Sequence, residues 1–284
     1  MAIVYEDMIG RRLEDWELSY TDNQVLLYNL SIGMGREDVE AELPYVFEQP
    51  ALQCTPSFAA LLAQGGSRVM GGTGLKIARI LHGEERLVLH RPLPPSGRIL
   101  STSWISELTD KGEKGAVITV STEGRLAEES DPLYRVDHVI FARGDGGFGG
   151  ASQSSFVPHV VPDRRPDLVH VTQTRTDDAL VYRLNGDRNP LHAHPDAARK
   201  GGFDRPILHG MCSYGMACRA VLASVCDYDV SRFKSFDARF TSPVFPGETI
   251  HTDIWVDGTT VSFRSRVEAR GITSLNNGRC DIVA

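Results

Sequence analysis

Lysine is scarce in this chain. Only Lys76, Lys111, Lys114, Lys200 and Lys234 occur, and the formal charge is −7. That balance excludes a general nucleic-acid binder, which presents a basic face, so an anionic ligand must be met by local charge. Cysteine is equally sparse: Cys54, Cys212, Cys218, Cys226 and Cys280 form no C-x-x-C pair and no metal-ligand spacing. Cys212, Cys218 and Cys226 fall in an apolar helical stretch, which predicts buried free thiols in a reducing compartment. No apolar run approaches the length needed to span a bilayer. The opening Met-Ala-Ile-Val-Tyr-Glu-Asp lacks the basic start and apolar run of a secretory signal, and Asp281-Ile282-Val283-Ala284 is no peroxisomal address. These absences predict a cytoplasmic protein with neither nucleic acid nor membrane as partner.

Three motifs of common enzyme classes are missing as well: the G-x-S-x-G elbow, the H-E-x-x-H pair and the P-loop. Gly144, Gly146 and Gly149 do satisfy G-x-G-x-x-G after a strand, but no helix follows and no βαβ unit surrounds them. The Gly/Ser-rich run from Gly144 and the Pro-containing stretch to Pro166 read instead as a linker.

What is present is an ordinary globular composition, 41% hydrophobic and 24% charged over 284 residues, written twice. Leu27-Tyr28-Asn29-Leu30 matches Val181-Tyr182-Arg183-Leu184 at an offset of 154 (182 − 28). Pro56 opens a helical stretch as Pro206 does, at 150 (206 − 56), and the Pro-rich turn ending at Gly97 matches that ending at Gly247, again at 150 (247 − 97). Three matches in one order predict a duplicated module: residues 1–143, a linker over 144–166, and residues 167–284. Each module reads as a short amphipathic helix, a Pro-opened helix of about 14 residues, then strands. In the second copy the long helix is Gly210 to Val225, with Met211, Tyr214, Ala217, Val221 and Val225 as its buried stripe. Strands are expected at Ser101–Leu108, Val136–Ala142, Phe236–Phe240, Ile250–Val256 and Val261–Val267, the last two joined by a hairpin at Asp257-Gly258. The class is α+β, an antiparallel sheet wrapped round a central helix in each half.

The second copy carries a stretch that the first lacks: Asn185-Gly186-Asp187-Arg188-Asn189-Pro190-Leu191-His192-Ala193-His194. A hydrophilic turn explains the Asn-Gly and Asn-Pro pairs. The matching Ser31-Ile32-Gly33-Met34-Gly35 keeps the turn without any acid, amide or imidazole. A carboxylate and an imidazole folded toward one point can hold a water between them, so Asp187 and His192 are candidate catalytic residues. Asn189 anchors the loop or a substrate atom, and His194 caps a helix Pro195–Lys200 closed by Gly201-Gly202. Gly210 starts the long helix, where backbone N–H groups lack intrahelical acceptors and a substrate can approach closely. That suits the oxygen of a carbonyl gaining negative charge. Tight helix packing is the alternative reading for Gly210. His192 and His194 have no second ligand cluster near them in sequence, so no metal is expected.

Tyr182 to His192, followed by Arg205-Pro206-Ile207-Leu208-His209-Gly210, resembles the MaoC-like hydratase 2 family, the (R)-specific enoyl-CoA hydratases. The first half resembles the N-terminal part of its double-module members, including the hydratase portion of peroxisomal multifunctional enzyme type 2. The matching pieces are Leu81-His82-Gly83-Glu84, His90 to Gly97, Asp110-Lys111-Gly112 and the Gly-rich segment after Phe141. The resemblance implies a double hot-dog fold and a hydro-lyase that reversibly hydrates trans-2-enoyl-CoA to (3R)-3-hydroxyacyl-CoA in fatty-acyl metabolism. It implies that Asp187 and His192 activate water, supported by Asn189, with the Gly210 amide on the thioester carbonyl. It further implies ligand contacts at His82, Gly83, Lys111, Arg188, Pro190, Leu191 and Phe240, a non-catalytic first module that accommodates the acyl chain, no cofactor beyond the CoA of the substrate, and a homodimer. Lys111 suits a CoA phosphate as a point charge. As a solvated turn lysine it would need no ligand. Two rivals stand beside this reading: a dehydratase of carrier-protein-bound or steroid-type thioesters, for which Arg199, Lys200 and Arg205 would supply the basic patch, and a non-catalytic thioester-binding subunit.

Overall fold

The computed structural model describes residues 3–76 and 79–283. Met1 and Ala2 of the N-terminal reading, and Ala284 of the C-terminal one, lie outside the described residues. In chain order the helices are α1 (Tyr5–Met8), α2 (Asp22–Ser31), α3 (Val39–Val46), α4 (Phe58–Ala63), α5 (Asp178–Tyr182), α6 (Pro195–Lys200) and α7 (Gly210–Val225). The strands are β1 (Arg12–Tyr20), β2 (Ile80–Leu89), β3 (Gly97–Asp110), β4 (Gly115–Leu126), β5 (Pro132–Arg143), β6 (Leu168–Gln173), β7 (Ser235–Phe240), β8 (Thr249–Asp257), β9 (Thr260–Val267) and β10 (Ile272–Asp281). Among the described residues, no helix is long and apolar enough to cross a membrane.

Contacts divide the chain into two compact units, one of residues 1–19, 59–90 and 98–159, the other of residues 20–58, 91–97 and 160–284. This grouping differs from a cut at the linker because α2 and α3 join the second unit, where Glu42 meets Arg219 and Arg36 meets Asp178. The first unit orders its strands β1-β3-β4-β5-β2; the second orders them β6-β8-β9-β10-β7 when read from the opposite end. Numbered within each copy, both sheets read first, third, fourth, fifth, second. A shared non-sequential order is the tertiary form of the duplication, and in both copies the principal helical segment falls between the first and second strands.

In the first unit, Ile105 and Leu108 of β3, Ala116, Ile118 and Val120 of β4, and Ile140 and Ala142 of β5 form an alternating apolar face closed by Val69 and Met8. In the second, the Phe236 and Phe263 rings stack at 4.5 Å and the Tyr214 hydroxyl of α7 donates to the Phe236 carbonyl at 2.7 Å. All five cysteines are buried free thiols, and burial pushes Cys54 and Cys218 up to about 12.

The five expected strands are present, and five more accompany them. β10, not expected from the sequence, carries a bulge at Asn276-Asn277-Gly278. Asn277 has φ +54°, and a Cβ on Gly278 would lie 2.4 Å from the Phe263 carbonyl oxygen. β1 likewise carries Asp15 at φ +43°. The Asp257-Gly258 hairpin shifts by one residue: Asp257 pairs with Thr260, so Gly258 and Thr259 form the loop, with Gly258 at φ +64°.

Three helix expectations change. α7 has the predicted bounds, but Met211 to Leu222 are all buried, so a one-sided stripe is replaced by burial on every side. Pro206 does not open it; the segment Pro206–His209 has no regular structure and α7 begins at Gly210. In the first copy the long helix is only α4, continued as a 3-10 helix over Gln64–Met70. The reason is close approach: a Cβ on Gly65 would lie 2.7 Å from the Trp16 ring, and one on Gly66 would lie 2.3 Å from the Thr122 hydroxyl. The linker keeps its irregular character but is anchored. Asp110 accepts backbone N–H bonds from Gly112, Gly147 and Gly149, each at 2.8 Å.

Candidate active site

The distinctive loop is built by its own side chains. After α5, Asn185 donates to the Tyr182 carbonyl and the Ser31 hydroxyl, both at 3.0 Å, and Gly186 turns the chain at φ +121°. Asp187 accepts from the Asn189 amide at 3.0 Å, and the Asn189 side chain in turn caps the Leu191 amide at 3.1 Å. Asn189 is thereby the N-cap of a 3-10 turn, Pro190–His192, with proline in its first position. Of the two roles left open for Asn189, the structure places its carbonyl oxygen in the loop. Leu191 packs over the end of α6, where a Cβ on Gly201 would come within 2.9 Å of it. His194 caps α6 by accepting from the Asp196 amide.

This scaffold presses His192 inward to 8% exposure. Its Nδ1 lies 2.9 Å from the Ile207 carbonyl oxygen. A carbonyl only accepts, so Nδ1 carries the proton and neutral His192 has its lone pair on Nε2. Burial holds the imidazole below its ordinary pKa, against the raising effects of the Ile207 carbonyl and of Asp187. Donor atoms of Asp187, His192 and a third residue, His209, lie within 4.8 Å of one another. The loop therefore brings the acid and the imidazole together across five residues of irregular chain.

His209 is the residue that sequence reasoning passed over. It stacks on His192 with ring centroids 3.8 Å apart, and the Tyr182 ring backs it at 5.0 Å. Its Nε2 reaches the Asp187 carbonyl at 3.3 Å. Burial, followed by the neighbouring His192, lowers its pKa to about 4, so it is neutral at pH 7. The signal available in sequence was an imidazole directly preceding the glycine that opens the long helix.

At that helix start, Cys212 and Ser213 donate back to His209, while no hydrogen bond of the Gly210 amide is seen among the described residues. A Cβ at Gly210 would meet the Phe240 ring at 3.2 Å, so Gly210 and Phe240 lie face to face. A cavity of about 210 Å³ opens beside His192, with Leu180, Ala193, Arg205, Pro206 and Pro246 in its walls. Arg188, Asn189 and Pro190 are exposed on the loop. Of the basic patch, Arg199 is engaged by Asp196 and Arg205 lies over the Phe245 ring at 4.9 Å.

His82, Gly83 and Lys111 belong to the first unit. His82 Nε2 lies 2.9 Å from Glu85 Oε2, Gly83 occupies a β-bulge, and the Lys111 ammonium donates to the Ser152 carbonyl at 2.6 Å. Lys111 is thus not a free turn lysine.

Residues 158–277 match the MaoC like domain, and residues 18–144 match the MFE-2 hydratase 2 N-terminal domain. The chain is 37% identical over 283 residues to the mouse (Mus musculus) peroxisomal multifunctional enzyme type 2, covering 97% of this chain but 38% of that longer enzyme. It is 36% identical to a Dictyostelium discoideum protein named "Probable enoyl-CoA hydratase 2", over 98% of this chain and 96% of the other. The crystal structure of a MaoC-like dehydratase from Phytophthora capsici superposes with a TM-score of 0.88 at 32% identity, over 99% of each chain. The architecture is the double hot-dog that the sequence resemblance implies. With the loop, the helix start and these relatives taken together, the chain belongs to the MaoC-like enoyl-CoA hydratase 2 family.

Proposed function

We propose that this protein is an (R)-specific enoyl-CoA hydratase, adding water reversibly across a trans-2-enoyl-CoA to give the (3R)-3-hydroxyacyl-CoA. The observation that carries the reading is the fixed tautomer of His192, whose ring has a nitrogen within 4.8 Å of an Asp187 carboxylate oxygen beside a cavity. A water held by Asp187 gives a proton to His192 Nε2 as its oxygen bonds to Cβ. The electron pair of the alkene moves through Cα to the thioester oxygen, which the Gly210 amide receives at the positive end of α7. Cα then takes a proton from the same pair on the same face, which restores the thioester and makes the addition syn. The addition of water is redox-neutral overall, so the reaction calls for no redox cofactor, and the charge of the enolate-like intermediate is met by the Gly210 amide.

In this reading residues 167–284 form the catalytic module, residues 1–143 the module that accommodates the acyl chain, and residues 144–166 their linker. Arg188, Pro190, Leu191 and Phe240 are ligand contacts near the pair, with Asn189 as support for the loop. His82, Gly83 and Lys111 are ligand contacts on the strength of the family alone, since the side chains of His82 and Lys111 already have partners. A cytoplasmic homodimer completes the reading. What supports pairing is β6, the outermost strand of the second unit, on which Leu168, Val169 and Val171 are nearly half exposed.

The deciding experiment follows the enoyl-thioester absorbance of crotonyl-CoA and trans-2-decenoyl-CoA with wild type and Asp187→Asn. Wild type is expected to consume at least one of them and yield the (3R) product on chiral analysis, with the variant slower by roughly 10²–10⁴-fold. Equal rates in the variant, or a (3S) product, would overturn the assignment.

A further inference from the structure

Away from the catalytic loop, three other side chains converge in the first unit. Glu85 on β2 stands directly opposite His138 on β5, and His82 is opposite Ile140, two residues further along β5. In a regular strand, His82 and Glu85, three residues apart, would point to opposite faces. The bulge at Gly83 absorbs one residue and returns both to the same face. Its glycine fits the bulge, since a Cβ there would lie 3.3 Å from the Val139 carbonyl oxygen.

The result is a compact donor set. Glu85 Oε2 lies 2.9 Å from His82 Nε2 and 2.7 Å from His138 Nδ1, and the two rings are 4.0 Å apart. All three donor atoms fall within 4.8 Å of one another. The Glu85 side chain is 2% exposed, while those of His82 and His138 are 22% and 32% exposed, so the carboxylate is sealed and the imidazole side is open to solvent.

We propose that His82, Glu85 and His138 form a binding site for a divalent transition-metal ion of the Zn²⁺ type, joining β2 to β5 in the first unit. Two imidazoles and one carboxylate, with a fourth position left for water, are the donor types that Zn²⁺ takes and that Mg²⁺ and Ca²⁺ do not favour. Without metal, a hydrogen-bonded trio occupies the same positions, each imidazole turning its N–H to Glu85, with His82 Nε2 also 3.2 Å from the Glu84 carbonyl oxygen. On coordination each ring keeps one proton, moved to its other nitrogen, and the lone pairs at His82 Nε2 and His138 Nδ1 turn to the ion. The other histidine–carboxylate cluster among the described residues, Asp187 with His192 and His209, is the catalytic loop itself and serves as the internal control.

The test is calorimetric titration of the chelator-treated full chain with Zn²⁺, repeated with Co²⁺ to read its visible ligand-field bands. Wild type, His138→Gln, Glu85→Gln and Asp187→Asn are compared, with thermal melts with and without Zn²⁺. The expected result is one ion per chain, retained in Asp187→Asn and weakened by at least about 100-fold in His138→Gln, beyond what loss of an outer-sphere partner costs. Zn²⁺ should raise the melting temperature of wild type and not of His138→Gln. His138 is partly exposed, so its variant keeps the test decisive if Glu85→Gln does not fold. No binding by wild type, or binding that survives His138→Gln, would overturn the site, and neither outcome touches the hydratase reading.

Discussion

At the scale of single residues, position matters more than identity. The chain has nine histidines, and what separates His192 is the Ile207 carbonyl that fixes its proton and the loop that sets Asp187 near it. Gly210 is the most restrictive neighbour. Gly210→Ala adds a Cβ at 3.2 Å from the Phe240 ring, at a helix start whose backbone alanine adopts readily. The ring must move by a few tenths of an ångström, and with it the surface facing the thioester. The expected outcome is a fall of about tenfold or more in kcat/KM with little change in melting temperature, checked by steady-state kinetics beside a melt. Asp187, Asn189 and His192 were legible as candidates because acid, amide and imidazole occur in one copy of that turn alone, and Gly210 because it opens the long helix. His209 and the His82–Glu85–His138 set were not. His209 stood in sequence as a helix-start residue, and a bulge hides the shared face of His82 and Glu85.

At the scale of elements, α7 shows how a polar residue survives in a helix buried from Met211 to Leu222. Arg219 is 1% exposed, and its Nε donates to Glu42 of α3 at 2.7 Å while Nη1 meets Glu37 at 2.9 Å. Glu42 is itself fully buried and also accepts from the Gly35 amide at 2.6 Å. Removing one partner strands the other charge away from water, which costs far more than the pair contributes. Arg219→Met is therefore expected to lose about 3–5 kcal/mol of unfolding free energy. Arg219→Lys should rescue little of it, since an ammonium lacks the fork that places Nε and Nη2 on one carboxylate oxygen. Urea denaturation of the two variants measures this. The periodicity of Met211, Tyr214, Ala217 and Val221 located the helix but said nothing of its other faces. A hydrophobic pattern registers one buried side, and the surrounding strands with α2 and α3 bury the rest.

At the scale of the whole molecule, titration of the enclosed histidines is felt as stability. Folded His209 binds its proton near pH 4, against 6.5 for a solvent-exposed imidazole. Between those values the unfolded chain holds more protons, so stability is greatest above pH 6.5 and falls as the pH drops toward 4. This group contributes on the order of 3 kcal/mol to that loss. His192, shifted in the same direction, steepens it. His209→Gln should flatten the pH dependence of stability across this window, whatever its effect at pH 7. Unchanged slopes in unfolding curves from pH 4.5 to 7 would show that the imidazole is not held neutral by burial.

The sequence by itself determined the duplication, the α+β class, the bounds of α7 and α6, and the loop that places an acid five residues from an imidazole. Each of these is written in local patterns: repeated turn residues, apolar periodicity, and helix-start chemistry. Only the tertiary structure decided the strand order, the bulged strands, the shortened helix of the first copy and the partners of Arg219, Glu85 and His192. Those depend on which backbones approach closely enough to exclude a Cβ, and on which charges are drawn out of water together. Residues far apart in the chain set both, and no local window of the sequence contains them.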